Sequence, residues 1–149
     1  MREILITIFI IIIIITIMII GSIISYNNNL SVLEVKISNL SNSITIEEEE
    51  IISIQKKLKS LTDEYVDHEK ETNELVVENI NPQVVLNMYP ELKSSNMYNN
   101  LSRQYLKSTR NIKDSKIEYN KVGEKYNSLL VTFRGRLLSG GRPLLDYKK

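Results

Sequence analysis

Residues 4–24 contain no charged side chain, and only Thr7, Thr16, Gly21 and Ser22 among them are not strongly apolar. As an α-helix this stretch rises about 31 Å, which matches a bilayer hydrocarbon core of about 30 Å. Most of it is isoleucine, whose branched Cβ makes it a mediocre helix former in water. In lipid, however, an unpaired backbone amide costs several kcal/mol, and a helix pairs nearly all of them within one segment. The run therefore predicts a membrane-spanning helix from Ile4 through Ile12 to Ile24, with lipid as its partner. A cleaved secretory leader is the competing expectation. Its apolar core is shorter, about 7–15 residues, and ends at a small-residue cleavage site, and no such site follows here. The reading is a retained anchor that crosses the cell membrane once. Arg2 ahead of the span favours an N-terminus inside, the basic C-terminal end pulls the other way, and sidedness stays open.

The rest of the composition removes whole classes of chemistry. With no cysteine there is no disulfide framework, thiolate zinc site or thiol nucleophile. A single histidine, His68, excludes a two-histidine metal motif. The net charge of +1 gives no global attraction to nucleic acid. Gly140 and Gly141 precede no Lys-Ser or Lys-Thr pair, so no phosphate-binding loop is expected. The chain reads as non-enzymatic, without cofactor, bound metal, nucleic acid or small-molecule substrate.

Beyond a polar segment, Tyr26 to Asn29 in sequence, a heptad pattern begins. With Leu30 at position a, the a series runs Leu30, Ile37, Ile44, Ile51, Leu58, Tyr65, Thr72 and Asn79. The d series runs Leu33, Leu40, Glu47, Ile54, Leu61, His68 and Leu75. All but Glu47, His68, Thr72 and Asn79 are apolar in one unbroken register, the signature of a coiled-coil seam. Residues 81–95 interrupt it. Pro82 and Pro90 each push the preceding residue out of the helical region, and Ser94, Ser95 and Asn96 offer N-cap chemistry. A second seam follows, with Tyr98, Tyr105, Ile112, Tyr119, Tyr126 and Phe133 at a and Leu101, Ser108, Ser115, Val122 and Leu129 at d. Because the connector is short, the second helix is expected to fold back on the first as an antiparallel hairpin.

The fold class is thus all-α: an N-terminal transmembrane helix followed by a long antiparallel helical hairpin, coiled-coil-like and a bundle when associated. The divisions are an anchor at 1–25, a stalk and first long helix at 26–80, a reversal at 81–95, a second long helix at 96–133 and a flexible basic tail at 134–149. Leu58, Leu61, Tyr65, Leu75, Leu101, Ile112, Tyr119 and Tyr126 are the expected helix-packing residues. In the tail, two Leu-Leu pairs would touch lipid while Arg134, Arg136 and Arg142 meet anionic headgroups; the equal alternative is a disordered extension or one foreign to the native chain.

Three features invite a sharper reading. His68 lies in the seam with no second histidine or cysteine to complete a site, so it reads as a core or boundary residue. Glu47, Glu48, Glu49 and Glu50 are consecutive, and a helix spreads four such carboxylates around its axis instead of converging them on a cation. They read as a solvated face, with Glu47 a polar layer in the seam. Tyr98, Tyr105, Tyr119 and Tyr126 share one heptad position, which makes them core and not a stacking platform for nucleic acid.

These residues resemble the LemA family of membrane-anchored bacterial helical proteins. Tyr26 and Asn27 follow the span, as a Tyr-Asn pair does there. The run His68, Glu69, Lys70, Glu71 and Thr72, continued by Val77 and Glu78 after Leu75, resembles the family's HEKET segment. Tyr89, Pro90, Glu91, Leu92 and Lys93 resemble its YPELK, followed in order by Leu101, Ile112, Tyr119 with Asn120, Val122, Tyr126 with Asn127, and Phe133. The likeness covers residues 26–79 and 88–133. Departures fall at 41–46, where the family's Trp-Ser-x-Ile-Asp patch is missing, at Gln55, Lys56 and Lys57, and at Thr109. The helix between the two runs is also short, so the resemblance implies a divergent or shortened member. It implies a long antiparallel helical bundle on a membrane anchor, and supplies architecture more than mechanism.

The function expected is a single-pass, membrane-anchored interaction or scaffold module at the cell envelope. Its partner would be a second copy or another helical envelope protein. The alternative is a coiled-coil envelope adaptor of the cell-division or phage-lysis type, built as a straight rod. A reversal at Pro82 and Pro90 separates the two.

Overall fold

The computed structural model describes residues 2–66 and 81–146, with the side chains of all of these except 64–66. Every regular element among them is helical: α1 at Arg2–Val66, α2 at Pro82–Met88, a 3-10 turn at Pro90–Ser94, α3 at Asn96–Val131 and α4 at Phe133–Leu138. The fold is all-α. The chain divides into two compact units, one of Met1–Leu40 with Glu118–Lys149 and one of Ser41–Ile117.

In the first unit the apolar run opens α1, and its side chains, including Ile4, Ile12 and Ile24, are exposed. This helix is long and apolar enough to cross a membrane. Burial starts within the last turn of the run, where Ile23 is half-covered, and is complete at Leu30. Leu30, Leu33 and Ile37 of α1 and Tyr119, Val122, Tyr126 and Leu130 of α3 form the unit's buried apolar set. The pairing is antiparallel: Lys36 meets Glu118, Glu34 meets Tyr126, and Tyr26 meets Leu129, so position falls along α1 as it rises along α3.

In the second unit Ile54, Leu58 and Leu61 of α1 share one core cluster with Val85, Leu92, Tyr98 and Leu101. Here too the partners run in opposite directions, with Glu48 bonded to Lys116 and Leu61 clustered with Tyr98 and Leu101. The chain therefore doubles back, and the two prolines begin helical turns. Asn81 caps α2 by accepting from the Gln83 amide at 2.9 Å, with Pro82 at the first helical position where no amide is needed. Pro90 likewise opens the 3-10 turn, there without a side-chain cap. The Tyr98 hydroxyl donates to the Pro82 carbonyl, and Leu92 beneath the turn is fully buried. Ser95 supplies the cap of α3, accepting from the Tyr98 amide at 3.3 Å.

Two expectations change at the far end of α3. The helix stops at Val131, and Phe133, placed in the seam by heptad counting, is 79% exposed. Leu130 is buried in its stead. The helix breaks at Thr132, so Phe133 belongs to α4 and no longer follows the stripe that Tyr119, Val122, Tyr126 and Leu130 trace along α3. Thr132 then takes an extended conformation (ψ 158°) and caps α4, its hydroxyl accepting from the Gly135 amide at 3.0 Å. Within the segment expected as a basic tail, α4 forms at Phe133–Leu138, and Arg142 and Leu145 make hydrogen bonds inside the first unit.

Candidate functional site

The tie is a polar clasp built from residues that are scattered in sequence. From α1, successive turns present Asn27, Ser31 and Glu34 at i, i+4 and i+7, one stripe of the helix. Arg142 spans that stripe. Its two terminal nitrogens donate to Asn27 Oδ1 at 2.7 Å and to Ser31 Oγ at 3.2 Å, and its Nε lies 3.0 Å from Glu34 Oε1. A planar guanidinium has five donors in a fixed fork, which suits it to three acceptors along one edge. The Tyr126 hydroxyl donates to the same Glu34 Oε1 at 2.9 Å.

Asn127, the next residue of α3, holds the tail by its backbone. Its Nδ2 donates to the Leu145 carbonyl at 2.7 Å and its Oδ1 accepts from the Leu145 amide at 2.8 Å, a pair of bonds that holds the tail at Leu145. The Tyr26 hydroxyl donates to the Leu129 carbonyl at 2.7 Å, which also accepts from the Thr132 hydroxyl at 2.7 Å, and so ties α1 to the end of α3. Gly135 is needed for close approach: a Cβ there would collide with the carbonyl oxygens of Leu129 and Leu130.

Burial is the main reason that the Tyr126 hydroxyl is pushed up to about 12, and the Glu34 carboxylate beside it adds to the shift by bonding and by charge. Arg142 acts in the opposite sense. Tyr98 is raised by burial. Glu118 is held low by its hydrogen bond to Lys36 and by that residue's charge. In the second unit, Asn111 donates to Glu47 Oε1 at 2.7 Å, while the other carboxylate oxygen, Oε2, is buried without a partner.

Of the helix-packing residues expected from sequence, Leu58, Leu61 and Leu101 lie in the second unit's core cluster and Ile112 is half-buried in that unit. Tyr119 and Tyr126 are buried in the first. The Tyr65 side chain, His68 and Leu75 lie outside the described residues. Sequence reasoning assigned no role to Glu34 or Gly135, placed Asn127 only in a family-like Tyr-Asn pair, and offered Arg142 to the membrane surface, whereas its guanidinium is bonded to α1. The available signal was the repeated Tyr-Asn pair, Tyr26 with Asn27 and Tyr126 with Asn127, whose members all engage partners in this clasp. Among the described residues no group of His, Asp and Glu is placed to hold a metal ion. What the arrangement can do chemically is hold a segment of chain in place.

Fold and clasp together define an all-α protein in which an apolar helix runs unbroken into a paired helical unit locked by its own tail. Residues 48–143 match the model of the LemA family, and the chain belongs to that family. No curated protein and no solved structure matches it. The matched stretch takes in α2, α3, α4 and Arg142, so the clasping arginine lies within the family's own region. The apolar run and Tyr26 with Asn27 lie outside it.

Proposed function

We propose that this LemA family member is a single-pass, membrane-anchored and non-enzymatic interaction or scaffold module at the cell envelope. The observation that carries the reading is the continuity of α1. The apolar run passes without a break into the buried positions Leu30, Leu33 and Ile37, and packing already reaches Ile23. An anchor joined in this way holds its helical unit at the membrane surface, where a flexible tether would let it wander. Ile46, Ile52 and Leu106 of the second unit are exposed apolar side chains, available to a second copy or to another helical envelope protein. The straight-rod adaptor has less support, because residues 41–117 contain the reversal at Pro82 and Pro90.

The test is fractionation of the full-length protein. It is expected to sediment with membranes and to resist carbonate and high salt. The double substitution Ile12→Asp and Ile13→Asp is expected to release it, since each central charge costs roughly 2.5–3.5 kcal/mol of insertion. A soluble wild-type protein would end the anchor reading.

A further inference from the structure

We infer that α4 is an interfacial foot, seated on the anionic lipid headgroups around the base of the anchor. The inference rests on the anchor reading above and adds a second, separate membrane contact to it. Three observations within the first unit carry it.

The first is the way α4 is turned. Successive residues of a helix are about 100° apart, which sets Phe133 and Leu137 on one ridge, Gly135 on the opposite side, and Arg134 and Arg136 on the two flanks. Gly135 is buried against the Leu129 and Leu130 carbonyls. With that side fixed inward, the ridge points out: Phe133 is 79% exposed and Leu137 66%. Both arginines are exposed as well. An apolar ridge flanked on both sides by cations is the composition of a helix lying in the plane of a bilayer surface.

The second is its level along α1. Tyr26 is bonded to Leu129 just before α4, and Arg142 to Asn27 and Ser31 just after it. Residues 132–141 are thus bracketed by bonds at Tyr26, Asn27 and Ser31, within about two turns of Ile24, where the apolar run ends and headgroups would begin.

The third is charge. The clasp pairs Arg142 with Glu34, so that arginine is committed to the protein. Arg134 and Arg136 face solvent on α4, where a phosphate-bearing surface complements them.

The chain contains no tryptophan, so single-tryptophan reporters can be placed at will. The full-length protein would be reconstituted in vesicles of phosphatidylcholine with brominated acyl chains, with and without phosphatidylglycerol. Reporters would be Phe133→Trp, Leu137→Trp, Ile12→Trp within the run, and Val35→Trp, exposed on α1 about 16 Å beyond Ile24. Helical content by circular dichroism would verify that each variant folds. The expected result is quenching at positions 12, 133 and 137 and little at 35. Quenching at 133 and 137 should fall when phosphatidylglycerol is omitted or in the double variant Arg134→Gln and Arg136→Gln. The ratio of seated to free foot is expected to drop about fivefold for each arginine lost.

Quenching at position 12 with positions 133 and 137 as unquenched as 35 overturns the foot and leaves the anchor standing. No quenching at position 12 removes the anchor, and the foot with it. Quenching at 133 and 137 that ignores lipid charge overturns the pairing of Arg134 and Arg136 with headgroups.

Discussion

Tyr126 shows how much one buried hydroxyl can report. Its proton is held by burial and by the Glu34 carboxylate, which moves its ionisation from the ordinary value of 10.0 to about 12. A pKa that is higher in the folded than in the unfolded chain gives stability that is complete below pH 10 and disappears as the pH climbs through 12. The protein is therefore expected to lose stability with rising pH across that window. In Tyr126→Phe, thermal melts between pH 10 and 12 should show a flatter slope, and the absorbance titration of phenolate should lose its latest component. An unchanged slope would place the hydroxyl in water. Gly135 is constrained by space: the neighbouring carbonyls leave no room for a methyl group. Gly135→Ala is expected to cost about 1–3 kcal/mol, and hydrogen exchange should show the loss concentrated in α4. A uniform loss of protection would mean that α4 is not held by that contact.

Helix pairing depends on a few deep side chains and one polar layer. Leu58 has no exposed surface and sits in the centre of the second unit's core cluster. Leu58→Ala is expected to cost about 2–5 kcal/mol in chemical denaturation, and a cost under 1 kcal/mol would show that the seam closes around the gap. The Glu47 and Asn111 pair works differently. Glu47 occupies a core heptad position, makes one good bond to Asn111, and leaves an oxygen buried and unsatisfied. Burial of such a pair is often less favourable than burial of apolar residues of similar size. The double variant Glu47→Leu with Asn111→Leu is therefore expected to melt at a higher temperature than the wild type. The single change Glu47→Leu strands the Asn111 amide and should melt lower. If both variants melt lower, the polar layer is itself a source of stability. The surface bridges from Lys36 to Glu118 and from Lys116 to Glu48 are exposed, and each is expected to contribute at most about 1 kcal/mol.

At the scale of the whole molecule, each helix buries a narrow stripe against one neighbour, whereas a helix in a globular domain covers a wider face. Large apolar side chains remain outside: Ile46, Ile52, Leu106 and Ile117 in the second unit are all more than half exposed. Leu130, which follows the d position Leu129, is by contrast buried in the first unit. Anchoring in one bilayer raises the local concentration of such surfaces. The full-length protein in detergent is expected to sediment as a dimer or larger assembly at micromolar concentration. Ile46→Lys with Leu106→Lys should shift it to monomer without loss of helical content. A wild-type protein that stays monomeric across the concentration series would rule this association out.

The all-α class was legible in the sequence because its signals are local. An uncharged apolar run long enough to span a bilayer, and apolar residues recurring every 3.5 positions, depend only on neighbours within a turn or two. The break at Pro82 and Pro90 was legible for the same reason, although the start of α2 that Asn81 caps was not read there. Family membership was legible for a related reason, since ordered short runs such as Tyr89 to Lys93 survive as text. What tertiary structure decided involves partners about a hundred residues apart. Arg142 looked like a headgroup ligand until Asn27, Ser31 and Glu34 were brought to it by the antiparallel pairing of α1 and α3. Whether α3 would run through Thr132 was equally undecidable from the seam, because heptad counting carries Phe133 inward while the close approach of Gly135 to the α3 carbonyls turns the chain and leaves Phe133 outside. The period of a pattern is encoded residue by residue. The direction in which a given side chain points past the end of a long helix depends on where that helix breaks and on what packs against it, and neither is written locally.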